Sequence, residues 1–262
     1  MAPLSTSPSS ILQGSSALVT GAAGGLGAAQ TAALASAGAR VLAHARSRGA
    51  ALQAVLEATG ATGLTKDLST PEACRELIRD AVAAAGRLDV LVANHATMTM
   101  GPLVDADPAD WWRVAHTNLL GTFAMIQEAV RVMREQGSGG RIIVISSEWG
   151  VIGWPEATAY AASKAGLISL VKCLGHELAP EGIIVNAIAP GVIDTPQLNV
   201  DADAAGIPLG EMHDRYAEGI PLGRIGRADE VAAAVAFLAD PALRTMVGQT
   251  IQVNGGSTRS RV

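Results

Sequence analysis

The sequence predicts one doubly wound α/β domain, a parallel sheet of about seven strands with helices on both faces. Three observations predict it. Short apolar runs recur between longer helical stretches along the chain, the order of a parallel sheet with crossover helices. The first run breaks into a glycine turn that opens directly into an alanine-rich helix. Hydrophobic residues make up 49% of the 262, enough for a sheet covered on both faces, yet none of the apolar runs reaches membrane-spanning length.

Taken in order, Ala17–Val19 is short and apolar and reads as a buried strand. It runs into Thr20-Gly21-Ala22-Ala23-Gly24-Gly25-Leu26-Gly27 and then a helix to about Gly38. Strand, glycine turn and helix together make a dinucleotide-binding unit. Gly21 permits the tight turn, Gly25 lets backbone approach a pyrophosphate, and Gly27 allows close helix packing. The helix amino terminus then offers N–H groups to phosphate. The next strand, Arg40–Ala45, runs into Arg46-Ser47-Arg48. An NAD site usually has Asp or Glu here to hold ribose hydroxyls. The chain is basic instead, and Arg46 can pair with a 2′-phosphate, so NADP(H) is favoured and NAD(H) is the alternative.

Thr62–Thr65 is the third strand, with Asp67 at its end within reach of an adenine. Ser69-Thr70-Pro71-Glu72 has the residues of a helix start, and that helix runs to Ala85. Leu88–Ala93 is the fourth strand and ends in Asn94-His95-Ala96-Thr97. A long helix from Pro108 to about Gln136 contains Asn118 and Gly121. Arg141–Ile145 and Ile183–Ala189 are the fifth and sixth strands, the latter ending at Pro190-Gly191. Residues 196–222 are rich in Gly, Pro and acids. A helix from about Asp229 to Leu238 precedes the last strand, Thr250–Val253.

Composition excludes several classes. A net charge of −5 without a basic cluster argues against nucleic acid. Cys74 and Cys173 lie far apart and make no disulfide framework, which suggests a reducing cytoplasm. The histidines show no metal-ligand spacing; His176-Glu177 lacks the second His of a zinc-protease helix, so no metal is expected. Met1–Ser10 is rich in Ser and Pro and lacks the pattern of a signal peptide. Residues 1–12 therefore read as a disordered tail before a domain spanning 13–262.

The chemistry concentrates in SSEWGVIGWPEATAYAASKAG, from Ser146 to Gly166. Tyr160 and Lys164 are four apart in a helical segment, so both side chains share one face. A tyrosine titrates near ~10, and an adjacent ammonium favours its phenolate and lowers that value. Ser147 follows the fifth strand, so it emerges at the carboxyl edge where open α/β sheets bind ligands.

With the glycine turn, the serine and the Tyr-Lys pair in one chain, the sequence resembles the short-chain dehydrogenase/reductase family, from about Ser15 to Gly256. The matching motifs are Thr20–Gly27, Asp67, Asn118, Ser147, Tyr160–Lys164 and Pro190–Thr195. The resemblance implies a Rossmann domain that moves a hydride between a nicotinamide and a small alcohol or ketone. It implies that Tyr160 exchanges the proton at the substrate oxygen, and that Lys164 holds the ribose and lowers the Tyr160 pKa. Ser147 would hydrogen-bond the substrate oxygen. Residues 196–222 would form a mobile lid over the substrate. Asn118 would kink its helix and hold a water that relays protons to Lys164. Gly21, Gly25, Leu26, Gly27, Arg46, Asp67, Asn94, Pro190, Gly191, Ile193 and Thr195 would line the cofactor, the last two at the carboxamide. Family members are usually tetramers, so a homotetramer or homodimer is expected, built around Asn118, Tyr160 and the last strand.

The family usually has Asn-Asn-Ala-Gly after the fourth strand. His95 and Thr97 depart from that, and Thr97 puts a side chain where glycine leaves room. His95 is expected to face the substrate pocket, with a packed or solvated histidine as the alternative. Trp149 and Trp154 are expected to line an apolar substrate pocket, with Met98, Met100 and Met212 as further walls. Two other readings stand beside the ketone reductase. One is a 3-oxoacyl-thioester reductase, whose carrier-docking positions near Ser138 and Glu181 are usually basic but are not so here. The other is a non-catalytic redox sensor, which has no need of all three of Ser147, Tyr160 and Lys164.

Overall fold

The computed structural model describes residues 11–258. Nine strands form among them: β1 (Ser16–Val19), β2 (Arg40–Ala45), β3 (Thr62–Thr65), β4 (Val90–Ala93), β5 (Gly140–Ile145), β6 (Ile183–Pro190), the short β7 (Ile193–Asp194) and β8 (Gly226–Arg227), and β9 (Thr250–Val253). Seven make one parallel sheet in the order β3-β2-β1-β4-β5-β6-β9, and β7 pairs with β8 apart from it. The order reverses between β1 and β4, so a crevice opens at their carboxyl ends.

The helices are α1 (Gly25–Ser36), α2 (Ala50–Thr59), α3 (Pro71–Ala85), α4 (Pro108–Ala115), α5 (Gly121–Gln136), α6 (Trp149–Ile152), α7 (Thr158–Leu178), α8 (Gln197–Ala205), α9 (Leu209–Ala217) and α10 (Ala228–Ala239). Strand alternation decides which face each residue covers. Leu18 lies in register with Leu42 and Leu91, and Leu91 with Ile142. All four pack against Leu77, Met125 and Leu167 of α3, α5 and α7. Their neighbours Val19, Ala43, Val92 and Ile143 pack on the opposite side against Leu34 of α1 and Val231 and Val235 of α10. Two cores thus cover the two faces of the sheet and hold its carboxyl edge in place.

Three expectations change. Of the expected tail, Ile11 and Leu12 are described and Leu12 is 1% exposed, because its side chain joins the core beside α1 and its N–H bonds the Ala37 carbonyl. Residues 1–10 lie outside the described residues. The fourth strand begins at Val90 rather than Leu88, because the Gln136 amide takes both backbone groups of Leu88, at 2.8 and 3.0 Å. The single helix from Pro108 to Gln136 is interrupted by a π-turn at His116–Leu120, centred on Asn118. Residues 196–222 contain α8 and α9, over a small core of Leu198, Ile220 and Ile225. Among the described residues, no helix is long and apolar enough to cross a membrane.

Candidate active site

The crevice is a cleft of about 1120 Å³ running from the glycine turn to Tyr160. At its first end the chain is shaped by what it omits. Gly21 has φ 68°, which favours glycine, and a Cβ there would sit 3.1 Å from Asn94 Nδ2. A Cβ on Gly27 would press into the Gly21 carbonyl and lie 2.8 Å from Ala22 Cα. On Gly25 it would meet Thr195 Cγ2 at 2.9 Å. The α1 amino terminus has no capping side chain and no acid in its first turn. Its first N–H groups are therefore free to take an anion. A dinucleotide pyrophosphate fits this cradle.

His44, which sequence reasoning passed over, braces the turn. Its Nε2–H donates to the Lys66 carbonyl at 2.9 Å, and its Nδ1 accepts the Gly21 N–H at 3.4 Å. Burial lowers its pKa, so the ring stays neutral and can accept. The only signal for it was a polar residue inside an apolar strand. Leu26 lines the cleft beside the turn. Arg46 lines it further out, exposed and with no ion pair or hydrogen bond among the described residues. Asp67 lies beside it, its Oδ1 accepting the Ser69 N–H at 3.0 Å. Lys66 also lines the cleft, but its ammonium bonds Glu76 and Asp80 at 2.9 and 3.0 Å. Asn94 is oriented by Thr20 O at 2.9 Å and Gln30 at 3.2 Å. Pro190, Gly191, Ile193 and Thr195 close the side wall.

At the other end Ser147, Tyr160 and Lys164 converge on the same cleft. The Ser147 hydroxyl hydrogen-bonds the Tyr160 phenol, and its Oγ accepts the Trp149 N–H at 3.2 Å. Lys164 Nζ stands 5.4 Å from the Tyr160 ring centroid and donates to the Ile145 carbonyl at 2.7 Å. Lys164 is 2% exposed, and burial pulls its pKa down to about 8. Tyr160 differs from expectation. Burial of its ring outweighs the Ser147 hydrogen bond and raises the phenol's pKa. The Lys164 charge does not reverse this, because its ammonium is turned to a carbonyl under the ring rather than to the phenolic oxygen.

Asn118 sits beneath the cleft rather than in its wall, 1% exposed. Its Oδ1 accepts the Thr97 N–H at 2.8 Å, and its Nδ2 donates to Thr97 O at 2.9 Å and Ser163 Oγ at 3.1 Å. The amide clamps the turn after β4 to the helix that carries Tyr160 and Lys164.

A family profile described as enoyl-(acyl-carrier-protein) reductase matches residues 21–258. A short-chain dehydrogenase/reductase from Armillaria gallica is 38% identical over 253 residues, covering 94% of this chain and 97% of its own. The chain belongs to the short-chain dehydrogenase/reductase family. As a short-chain dehydrogenase/reductase it is an oxidoreductase acting on CH–OH and C=O groups. A 3-oxoacyl-(acyl-carrier-protein) reductase from Thermotoga maritima is 37% identical, covering 94% of this chain and 98% of its own. Among solved structures, one described as a 2-deoxy-D-gluconate 3-dehydrogenase from Agrobacterium tumefaciens, with bound NADP, superposes with a TM-score of 0.85 at 34% identity, covering 96% and 99% of the two chains. One described as a short-chain alcohol dehydrogenase from Sinorhizobium meliloti 1021 gives 0.86 at 36% identity, covering 94% and 97%.

The places where this short-chain dehydrogenase/reductase departs from the family pattern have local explanations. His95 lines the cleft, its Nδ1 paired with Thr20 Oγ1 at 3.1 Å. Burial, helped by the nearby His44 and Lys164, pushes its pKa down to about 3, so it is neutral. Thr97 turns its side chain to Arg113, Nη1 to Oγ1 at 3.4 Å. Trp149 lines the cleft as expected, but Trp154 does not; it stacks behind Trp149, centroids 5.1 Å apart and planes 5° from parallel. Met98 lines the cleft, while Met100 is 48% exposed and Met212 is buried elsewhere. Sequence reasoning missed Arg113 and Tyr216 in the wall and did not weigh Glu148. Glu148 is buried, its N–H on Pro190 O at 2.9 Å and its carboxylate hydrogen-bonded to Ser257 and Asn254. No spacing rule links it to residues a hundred positions away.

Proposed function

We propose that the protein is an NADP(H)-dependent reductase of a small ketone, with Tyr160 as general acid. The observation that carries the reading is the meeting of Ser147, Tyr160 and buried Lys164 at one end of a cleft whose other end is an uncapped glycine turn beside Arg46. Arg46 favours NADP(H) over NAD(H), since a free guanidinium matches a 2′-phosphate. The NADP in the A. tumefaciens relative supports this. Gly21, Gly25, Leu26 and Gly27 would hold the pyrophosphate and Asp67 the adenine. Asn94, Pro190, Gly191, Ile193 and Thr195 would flank the nicotinamide.

Bound there, the nicotinamide supplies the hydride for the carbonyl carbon, or takes it from the alcohol. Ser147 donates a hydrogen bond to the substrate oxygen and stabilises the charge that grows on it. Tyr160, protonated at neutral pH and more so for its burial, gives its proton to that oxygen. As its phenolate forms, the Lys164 ammonium below the ring stabilises it. Oxidation returns the proton to Tyr160. Asn118 is a positioning residue, holding Thr97 and Ser163 rather than substrate. Exposed Trp112, Phe123 and Phe237 support a homotetramer or homodimer, and the two free cysteines support a cytoplasmic setting.

The test is NADPH oxidation on a carbonyl panel, wild type beside Tyr160→Phe. Turnover should fall about a thousandfold in the variant while NADPH affinity stays within about threefold. A variant that keeps near wild-type turnover would sink the assignment. Cofactor binding with no turnover on any carbonyl would favour the sensor. The second reading, a 3-oxoacyl-thioester reductase, draws on relatives at 37% identity. Against it, Glu181 holds the Arg134 guanidinium through two bonds of 2.6 Å and offsets a charge that a carrier protein would need. Acetoacetyl-CoA in the same panel separates the two.

A further inference from the structure

We propose that the substrate is an uncharged ketone bearing a flat apolar ring, and that Trp149 is the wall that selects it. This rests on the reductase reading and adds the substrate class to it. Trp149 touches both groups that would hold the substrate oxygen. Its backbone N–H donates to Ser147 Oγ at 3.2 Å, and its ring meets Tyr160 edge-to-face, centroids 5.9 Å apart at 83°. A substituent on the carbonyl carbon that points to this side therefore lies against the indole.

The wall is also fixed. Trp154 stacks behind it at 5.1 Å. The next residue, Gly150, is pressed onto α7; a Cβ there would lie 2.7 Å from the Lys164 carbonyl carbon and 2.8 Å from Ala165 N. The backbone that carries the indole is thus seated on α7, and the stacked Trp154 disfavours its swinging aside for a bulky chain. A rigid planar wall favours a planar ring, which gains aromatic contact and loses less conformational freedom than a linear chain of equal carbon count.

Charge at this end points the same way. The cleft-lining Arg113 bonds Asp110 through Nε at 3.0 Å. Lys164 is buried on the Ile145 carbonyl. The acid in the wall, Asp201, takes Gln197 Nε2 at 3.0 Å and the Tyr216 hydroxyl at 3.5 Å. The two cations at this end are thus engaged already, Arg113 by a carboxylate and Lys164 by a buried carbonyl, which disfavours a substrate carboxylate or phosphate.

The experiment compares kcat/KM with NADPH for acetophenone, 2-octanone and 4-oxopentanoate. Wild type should prefer acetophenone at least tenfold over the other two. Trp149→Ala should lose about tenfold on acetophenone and less than about threefold on 2-octanone, while Trp149→Phe stays within threefold of wild type on both. Equal losses on the two ketones, or a wild-type preference for the linear or charged substrate, would overturn the inference. A binding arm separates this from failure of the reductase reading: calorimetric titration of acetophenone into NADPH-saturated Tyr160→Phe, with and without Trp149→Ala. Saturable binding that weakens tenfold in the double variant supports the wall even if no ketone is turned over. Absence of saturable acetophenone binding overturns it.

Discussion

The two ends of the cleft are made of different material. The cofactor end is backbone: a left-handed Gly21, a helix start without a cap, and glycines whose hydrogens are all the space allows. The substrate end is side chains, converging from the turn after β4, the loop after β5, and helices α7, α8 and α9. A backbone site needs one contiguous stretch in one conformation. A side-chain site needs several elements to arrive together. The first should therefore break by steric insertion at a single atom, and the second by loss of a specific contact.

The sharpest way to break the cofactor end is Gly27→Ala. The added carbon meets Gly21 and Ala22 backbone, which cannot rotate away as a flexible side chain could. Displacing the first turn of α1 removes charge-assisted N–H contacts to the pyrophosphate at ~1.5–3 kcal/mol each. We expect NADPH affinity to fall about a hundredfold or more by calorimetry, with a Tm drop of roughly 5 °C. An alanine variant that binds NADPH normally would mean the helix start is not the anion site.

The substrate end is tested through Lys164. Its folded pKa is about 8, below the ordinary lysine value of 10.5, because burial disfavours the ammonium. Between those two values the unfolded chain binds the extra proton, so stability of the cofactor-free protein rises with pH from about 8 upward. Below pH 8 the full cost of burying the charge is present. Lys164→Met should remove that rise between pH 8 and 9.5 and should be more stable than wild type at pH 7, by up to ~3 kcal/mol less the cost of freeing the Ile145 carbonyl. Urea unfolding across that pH range checks it. Cys74 and Tyr160, whose raised pKa values act oppositely at higher pH, are common to both proteins and cancel in the difference. Parallel pH profiles would show that the ammonium is not buried in solution.

Arg46→Ala separates the ends again. Removing an exposed cation from a side chain with no partner among the described residues should leave folding unchanged. It should raise the KM for NADPH about tenfold and leave that for NADH within about twofold. Equal effects on both cofactors would remove the 2′-phosphate from the role of Arg46.

This contrast explains what could be read in advance. The alternation of strands and helices, the glycine turn, and Ser147, Tyr160 and Lys164 were legible because each is a local pattern with one period or one spacing. The start of β4 was misread because Gln136, 48 residues away, takes the Leu88 backbone. Trp154 was placed in the wall because it flanks the loop after Ser147, whereas the turn at Gly153, with φ 72°, lets it stack on Trp149 outside the lining. Lowering of the Tyr160 pKa was inferred from charge alone, and burial of the ring, which no spacing reveals, acts the other way. His44 and Glu148 act by reaching across the fold, and nothing near them in the chain marks what they reach.

Glu148 is where the two ends join, and it carries the smallest expected effect. It lies between Ser147 and Trp149, its N–H fastens Pro190, and its carboxylate accepts from Ser257 beyond β9. A Cβ on Gly191 would lie 3.2 Å from its Oε2, so the carboxylate also packs against the cofactor wall. Burial raises its pKa, and the Ser257 and Asn254 bonds hold it down in part. Ser257→Ala removes one of those donors and should destabilise the ionised form by ~1–2 kcal/mol. A raised folded pKa means that the native state holds its proton longer, so stability falls as pH rises through the interval above the ordinary carboxylate value. The Ser257→Ala loss should therefore be full at pH 7 and shrink toward pH 4, where Glu148 is protonated in both proteins. NADPH affinity at pH 7 should weaken two- to threefold through Pro190 and Gly191. Glu148→Gln, which keeps hydrogen-bonding capacity without the charge, should be more stable than wild type at pH 7, where wild type bears the cost of the buried carboxylate, and that advantage should shrink toward pH 4. A Ser257→Ala loss that is the same at pH 4 and pH 7 would mean that Ser257 serves as an ordinary hydrogen bond and that the charge on Glu148 plays no part in joining the two ends.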